Sequence, residues 1–168
     1  MSKILVAADK FAEFYHGEID QRRKYTNEPY IVHPRAVARR VSSVGGSISQ
    51  IAASLLHDTV EDTRATIEDV RAEFGSVIAS YVDQLTDPAK PEDGNRAARL
   101  EINLNHIKKM SSAVQTVKLA DIIDNTTSII KHDPKFAEVY FAEKRRVLPW
   151  LINGNRHLYN ELHRILYA

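Results

Sequence analysis

The chain reads as an all-α fold, a helical bundle, on three observations. Apolar residues recur at spacings of three and four through most of its length. Breaks made of glycine, proline and serine part those stretches at helix-like intervals. No segment alternates polar and apolar residues as a half-buried strand would.

Ile4, Leu5, Ala8, Phe11, Ala12 and Tyr15 predict a first amphipathic helix that fades near His16 and Gly17. Residues 20–30 are polar and basic, a loop carrying Arg22, Arg23 and Lys24 ahead of a Glu28-Pro29 break. His33 precedes Pro34, and a proline suits the first helical turn, where its missing amide proton would have had no partner. A second helix over about residues 34–44 follows, stopped by Gly45-Gly46. Ser47 caps a third, whose Ile48, Ile51, Ala52, Leu55 and Leu56 form a dense apolar stripe ending in His57-Asp58-Thr59.

Thr66 with Asp69 opens a short helix through Val70 and Phe74, and Gly75 ends it before a helix-compatible run over residues 77–85. Residues 86–95, with Pro88, Pro91 and Gly94, are the clearest loop. Residues 97–110 fit a charged amphipathic helix. Ser111 or Ser112 caps the next, in which Ala113, Val114, Val117, Leu119 and Ala120 lead into Asp121. Two more helices are expected over about residues 134–152 and 156–167. There is no internal repeat, and 168 residues at 43% hydrophobic content predict a single domain over residues 1–168.

Composition narrows the chemistry. Lys plus Arg number 23 against 22 for Asp plus Glu, so the net charge of +1 gives no general surface for nucleic acid. Cysteine is absent, so any metal ligands must be nitrogen or oxygen. The opening apolar stretch is too short for an export signal, and no run approaches a membrane span. A soluble, cytoplasmic protein with no membrane partner is expected.

His57, Asp58, Glu61 and Asp62 put an imidazole and three carboxylates beside a strongly apolar helix. Such charge is costly to bury unless paired or metal-bound. Adjacent side chains normally point about 100° apart on a helix, but at a helix end both can converge on one ion if other segments supply its remaining ligands. His33 stands at a break before a helix, and Asp121 interrupts an apolar run. With His57 and Asp58 they make a set suited to Mn²⁺, Fe²⁺ or Zn²⁺. On spacing alone the commoner case is different: His57 as an interior histidine with a satisfied hydrogen bond, and Asp58, Glu61 and Asp62 as a solvated helix end.

Three segments together resemble a known family. Pro29-Tyr30-Ile31-Val32-His33-Pro34, His57-Asp58-Thr59-Val60-Glu61-Asp62-Thr63 and Val117-Lys118-Leu119-Ala120-Asp121 stand in the order found in HD-domain hydrolases. The likeness is to the stand-alone small alarmone hydrolases and the hydrolase domain of Rel and SpoT proteins. It implies an HD-domain helical bundle with manganese held by His33, His57, Asp58 and Asp121. It also implies Glu61 and Asp62 as the catalytic acidic pair, and removal of the 3′-pyrophosphate from a guanosine or adenosine alarmone, (p)ppGpp or (p)ppApp.

By the same resemblance Arg23 and Lys24 match a pair in which the arginine packs on the nucleobase, with Arg22 adjoining and a link one residue longer than in Rel. Asn125, one turn after Asp121, matches an asparagine that contacts ribose or orders the site. The usual Asp-Arg-Leu-His-Asn-Met-Arg is replaced by Asp121-Ile122-Ile123-Asp124-Asn125-Thr126-Thr127, which removes two arginines. Pro91-Glu92-Asp93-Gly94-Asn95-Arg96 resembles a loop of members that favour adenosine alarmones, and Arg96 and Arg99 are candidates to replace the lost positive charge. The competing functions are an HD phosphohydrolase of the 5′-nucleotidase type and a catalytically idle nucleotide sensor.

Overall fold

The computed structural model describes residues 2–168. It is all-α, with no named strand among the described residues and one isolated antiparallel bridge between Arg22 and Pro29. The helices are α1 Lys3–Glu18, α2 Val32–Ser43, α3 Ile48–Leu56, α4 Thr59–Asp62, α5 Ile67–Leu85, α6 Arg96–Ile107, α7 Ser112–His132, α8 Pro134–Val147 and α9 Arg156–Tyr167. Short 3₁₀ turns stand at Pro91–Asp93 and Leu148–Leu151. The chain divides into two compact units, one running up to Thr86 and one from Asp87. None of the described helices is long and apolar enough to cross a membrane.

In the first unit α3 is the hub, packed by α1, α2 and α5. Its sequence explains this: Ala52 and Ala53 are fully buried and small, so neighbouring helices approach closely, while Leu55 and Leu56 fill the core. Ser47 accepts from the Gln50 amide at 3.2 Å and Gln50 answers at 2.8 Å, a capping box that fixes where α3 starts. Arg35 of α2 donates to both carboxylate oxygens of Asp9 at 2.7 Å, tying α2 to α1.

Two boundaries differ from expectation for physical reasons. α2 begins at Val32, so His33 already lies inside its first turn. The helix expected over residues 134–152 passes into a 3₁₀ turn at Leu148–Leu151, where Pro149 cannot donate an amide hydrogen bond. As expected, the helical run breaks at Gly75, whose φ and ψ are not helical, so α5 is two helical stretches joined across a kink.

In the second unit α7 packs against α8, α9 and the second 3₁₀ turn. Buried Gln115 pins the approach to α9, donating to the Met110 carbonyl at 3.0 Å and accepting from the Asn153 amide at 3.0 Å.

Gly75 has φ +83° and ψ 171°, a conformation essentially confined to glycine, and an added Cβ would meet nothing within 4 Å. Gly75→Ala should therefore cost backbone strain alone, about 1–3 kcal/mol of unfolding free energy. Urea denaturation checks this, and an unchanged midpoint would contradict it.

Candidate metal centre and active site

His57 ends α3 in helical geometry (φ −58°, ψ −36°), and Asp58 follows at φ −96°, ψ −5°, before α4 starts at Thr59. This departure from regular helix lets neighbouring residues turn to one point. Asp58 Oδ2 lies 3.1 Å from His57 Nε2 and 3.7 Å from His33 Nε2. The two rings sit 5.1 Å apart at 66°. Among the described residues, His33, His57 and Asp58 form the cluster with metal-ligand spacing, their donor atoms all within 4.8 Å of one another.

The donor set fits a divalent cation. Both imidazoles are about as buried as side chains become, at 1% and 2% exposure. His57 Nδ1 lies 2.8 Å from the Ser54 carbonyl oxygen, which can only accept, so Nδ1 carries hydrogen and Nε2 faces Asp58. With a neutral ring this sets a nitrogen lone pair against a carboxylate oxygen in the interior. A proton or a cation must lie between them, and two imidazoles with a carboxylate are the ligands of a borderline divalent metal. Tyr30 steadies the group from outside, its hydroxyl donating to Asp58 Oδ2 at 2.5 Å.

Glu61 and Asp62 lie one turn beyond, on α4. Asp62 keeps an accessible edge and accepts from Gln21 Nε2 at 2.8 Å. Desolvation by the atoms around its carboxyl, followed by the nearby charge of Asp58, raises its pKa above the ordinary carboxylate value, and the Gln21 amide partly offsets this. The basic loop sorts itself: Arg22 pairs with Asp20 at 2.7 Å, Arg23 lies over the Tyr30 ring at 6.0 Å, and Lys24 donates to the Tyr25 hydroxyl at 3.3 Å.

The other sequence candidates belong to the second unit. Asp121 is buried on α7, held by Lys118 at 3.2 Å and by Asn125 Nδ2 donating at 2.7 Å. Around it, burial and then the Asp121 charge push the Tyr140 phenol pKa up, while burial and then Lys118 push the Lys144 ammonium pKa down. Arg96 makes a two-toothed ion pair with Glu143 at 2.5 and 2.8 Å and lies over Phe136, so its charge is already offset. Arg99 is half-buried on the same helix.

Sequence reasoning gave no role to Tyr30, Gln21, His16 or Lys118. His16 left a signal: it continues the buried face of α1 four residues after Ala12, itself four after Ala8. Nothing in the sequence marks the contacts of Gln21.

A helical scaffold presenting two buried histidines and a half-buried aspartate at a helix junction defines a class of metal-site proteins, and comparison with known proteins places the chain within it. The HD-domain family matches residues 7–147. The Homo sapiens guanosine-3′,5′-bis(diphosphate) 3′-pyrophosphohydrolase MESH1 is 32% identical over 165 residues, covering 94% of this chain and 89% of that protein. An Aquifex aeolicus guanosine-3′,5′-bis(diphosphate) 3′-pyrophosphohydrolase is 37% identical over 122 residues, yet the match spans only 17% of its length. A solved structure described as a metazoan ortholog of SpoT that hydrolyzes ppGpp superimposes with a TM-score of 0.87 at 28% identity, covering 98% of this chain and 94% of that one. The chain belongs to the HD-domain family, among the relatives of SpoT and MESH1.

Tyr30→Phe removes one hydroxyl from the outer partner of Asp58. Manganese affinity, measured by titration calorimetry, should weaken about 10- to 100-fold, as when other outer partners of metal ligands are lost. Unchanged affinity would remove Tyr30 from the centre.

Proposed function

We propose that this chain is a metal-dependent hydrolase that removes the 3′-pyrophosphate of a purine alarmone, (p)ppGpp or (p)ppApp. The observation that carries this reading is the His33–His57–Asp58 cluster with two carboxylates one turn away, in a chain that matches MESH1 over nearly its whole length. His33, His57 and Asp58 hold the ion, which we take to be manganese. Asp121 is assigned as a further ligand on its Val117-Lys118-Leu119-Ala120-Asp121 motif. The match to residues 7–147 runs through both units and supports a single HD-type domain over residues 1–168. We take the chain to act in the cytoplasm, a reading supported by the lack of a membrane-crossing helix among the described residues.

A divalent ion supplies positive charge to acidify a water and to polarise a phosphoryl oxygen. The residues manage the rest. A water oxygen bonds to the phosphorus attached to the 3′-oxygen, and the bond from that phosphorus to the 3′-oxygen breaks. Glu61 and Asp62 orient the water, take up its proton and return one to the leaving 3′-oxygen, so the products are pyrophosphate and a nucleotide with a free 3′-hydroxyl. The raised pKa of Asp62 suits a group that must both accept and release a proton. Arg23, beside Tyr30, offers a planar cation to a purine face, and Lys24 a charge for phosphate. Asn125, Arg96 and Arg99 are assigned to the nucleotide from their motifs, with Asn125 also orienting Asp121.

Glu61→Gln keeps size while removing charge. It should lower kcat by about 10²-fold or more with the ion retained, and near wild-type turnover would return Glu61 to a surface role. Parallel assays of guanosine and adenosine 3′-pyrophosphates, with manganese and with chelator, test the reaction itself. Pyrophosphate is the expected product, abolished by chelator; orthophosphate would indicate a nucleotidase. The missing arginines after Asp121 and the loop of residues 91–96 lead us to expect the adenosine substrate to be used at least as well. A tenfold guanosine preference in kcat/KM, about 1.4 kcal/mol, would contradict that.

A further inference from the structure

At the end of α1 a second polar group lies behind the metal ligands. Ala8, Ala12 and His16 form one buried face of the helix, and His16 is 2% exposed. Of its two ring nitrogens, Nδ1 finds a partner nearby, whereas Nε2 is buried without a hydrogen bond. The chain turns at Asp20, whose φ is +46°, and returns so that the Gln21 amide donates to the His16 carbonyl at 3.0 Å. Tyr30 then closes the loop, its amide donating to the Gln21 carbonyl at 3.0 Å.

The side chains extend this frame toward the site. His16 Nδ1 lies 2.6 Å from Gln21 Oε1, and Gln21 Nε2 donates to Asp62 Oδ2 at 2.8 Å. The His16 ring also packs on Tyr30 at 4.9 Å, and it is the Tyr30 hydroxyl that meets Asp58. The hydrogen-bond directions are determined by chemistry. A carboxylate only accepts, so the Gln21 amide must turn its NH₂ to Asp62 and its oxygen to His16; that oxygen only accepts, so His16 Nδ1 carries the hydrogen. Burial holds the His16 pKa below its ordinary value, which leaves the ring neutral and fixes this tautomer at neutral pH.

Asp62 needs such support. It ends a helix of four residues, too short to be stable by itself, and its side chain reaches the surface, where it would otherwise sample several rotamers. The bond from Gln21 spans 41 residues of sequence and restrains the carboxylate at Oδ2.

We propose that His16 and Gln21 act as a positioning pair for Asp62: His16 sets the orientation of the Gln21 amide, and Gln21 holds the carboxylate in its working rotamer. This rests on the assignment of Asp62 to acid–base work in the proposed hydrolysis. The side-chain hydrogen bonds of the pair run between its members and to Asp62, not to His33, His57 or Asp58, so its loss should act on kcat with KM and metal content preserved.

The test uses the full manganese-loaded chain and five variants, with kcat and KM for the 3′-pyrophosphate substrate, metal stoichiometry and thermal midpoint as readouts. Gln21→Met keeps the length of the side chain and removes both hydrogen bonds. It should lower kcat about 10- to 100-fold, with KM within about threefold and the ion retained, as expected from misplacing a reacting group. Gln21→Glu still accepts from His16 but cannot donate to Asp62, and should show the same loss if the methionine variant folds poorly. His16→Leu should resemble Gln21→Met. His16→Asn places an amide NH₂ where Nδ1–H stands, and should restore kcat to within about threefold of wild type.

Asp62→Asn separates the two readings. If it leaves kcat intact, the acid–base assignment fails and this inference with it. If it abolishes turnover while both Gln21 variants keep full kcat, the inference alone is overturned. A loss at Gln21 seen in metal content or folding, or no difference between His16→Leu and His16→Asn, would also overturn it.

Discussion

Two imidazole nitrogens and a carboxylate oxygen turned toward one another inside a protein need a proton or a cation among them. His33, His57 and Asp58 are so turned while the histidines are almost wholly excluded from solvent. The arrangement becomes favourable when a cation stands among the three donors, and folding then prepares a site whose completion stabilises the fold. Much of the first unit serves this constraint. The capping box at Ser47 sets the phase of α3, the small residues Ala52 and Ala53 seat it in the core, and the chain leaves regular helix where His57 and Asp58 must face the same point.

The outer partners repeat the logic at lower charge. Ser54 fixes the His57 tautomer with its carbonyl, Tyr30 donates to Asp58, and Gln21 donates to Asp62. Each brings a hydrogen to an oxygen or an oxygen to a hydrogen, so the ligands and the carboxylate beyond them occupy defined rotamers. Around Asp121 the second unit builds a comparable surround from Lys118 and Asn125, with buried Tyr140 and half-buried Lys144 close enough to feel its charge. The ion pair with Lys118 and the Asn125 amide offset the charge of this buried carboxylate within the unit.

The helical fold was legible because its punctuation is local. Ser47 and Thr66 with their partners three residues on, Gly45-Gly46, and the apolar stripes of α3 and α7 all mark their elements in the amino-acid order. Gly75 was legible as a break, although the helix resumes at once beyond it. The convergence of His33 with His57 and Asp58 was recovered from motif order, since 24 residues separate the first two in sequence. The outer partners were not legible, for a physical reason. Gln21 and Asp62 meet through a loop whose path depends on a positive φ at Asp20 and on backbone bonds between His16, Gln21 and Tyr30. None of these has a spacing signature. Arg96 is a similar case: the sequence offers it as a substitute positive charge, while its ion pair with Glu143, 47 residues on, has no spacing signature.

The claim on which the account turns is that the three facing donors are a metal site. Crystals of the purified protein grown with Mn²⁺ and measured at the manganese absorption edge address it directly. The account predicts one strong anomalous peak within about 2.0–2.3 Å of His33 Nε2, His57 Nε2 and an Asp58 carboxylate oxygen, the range of bonds from nitrogen and oxygen ligands to such an ion. A fully occupied ion elsewhere, with these three side chains in the same positions and no peak between them, would contradict it.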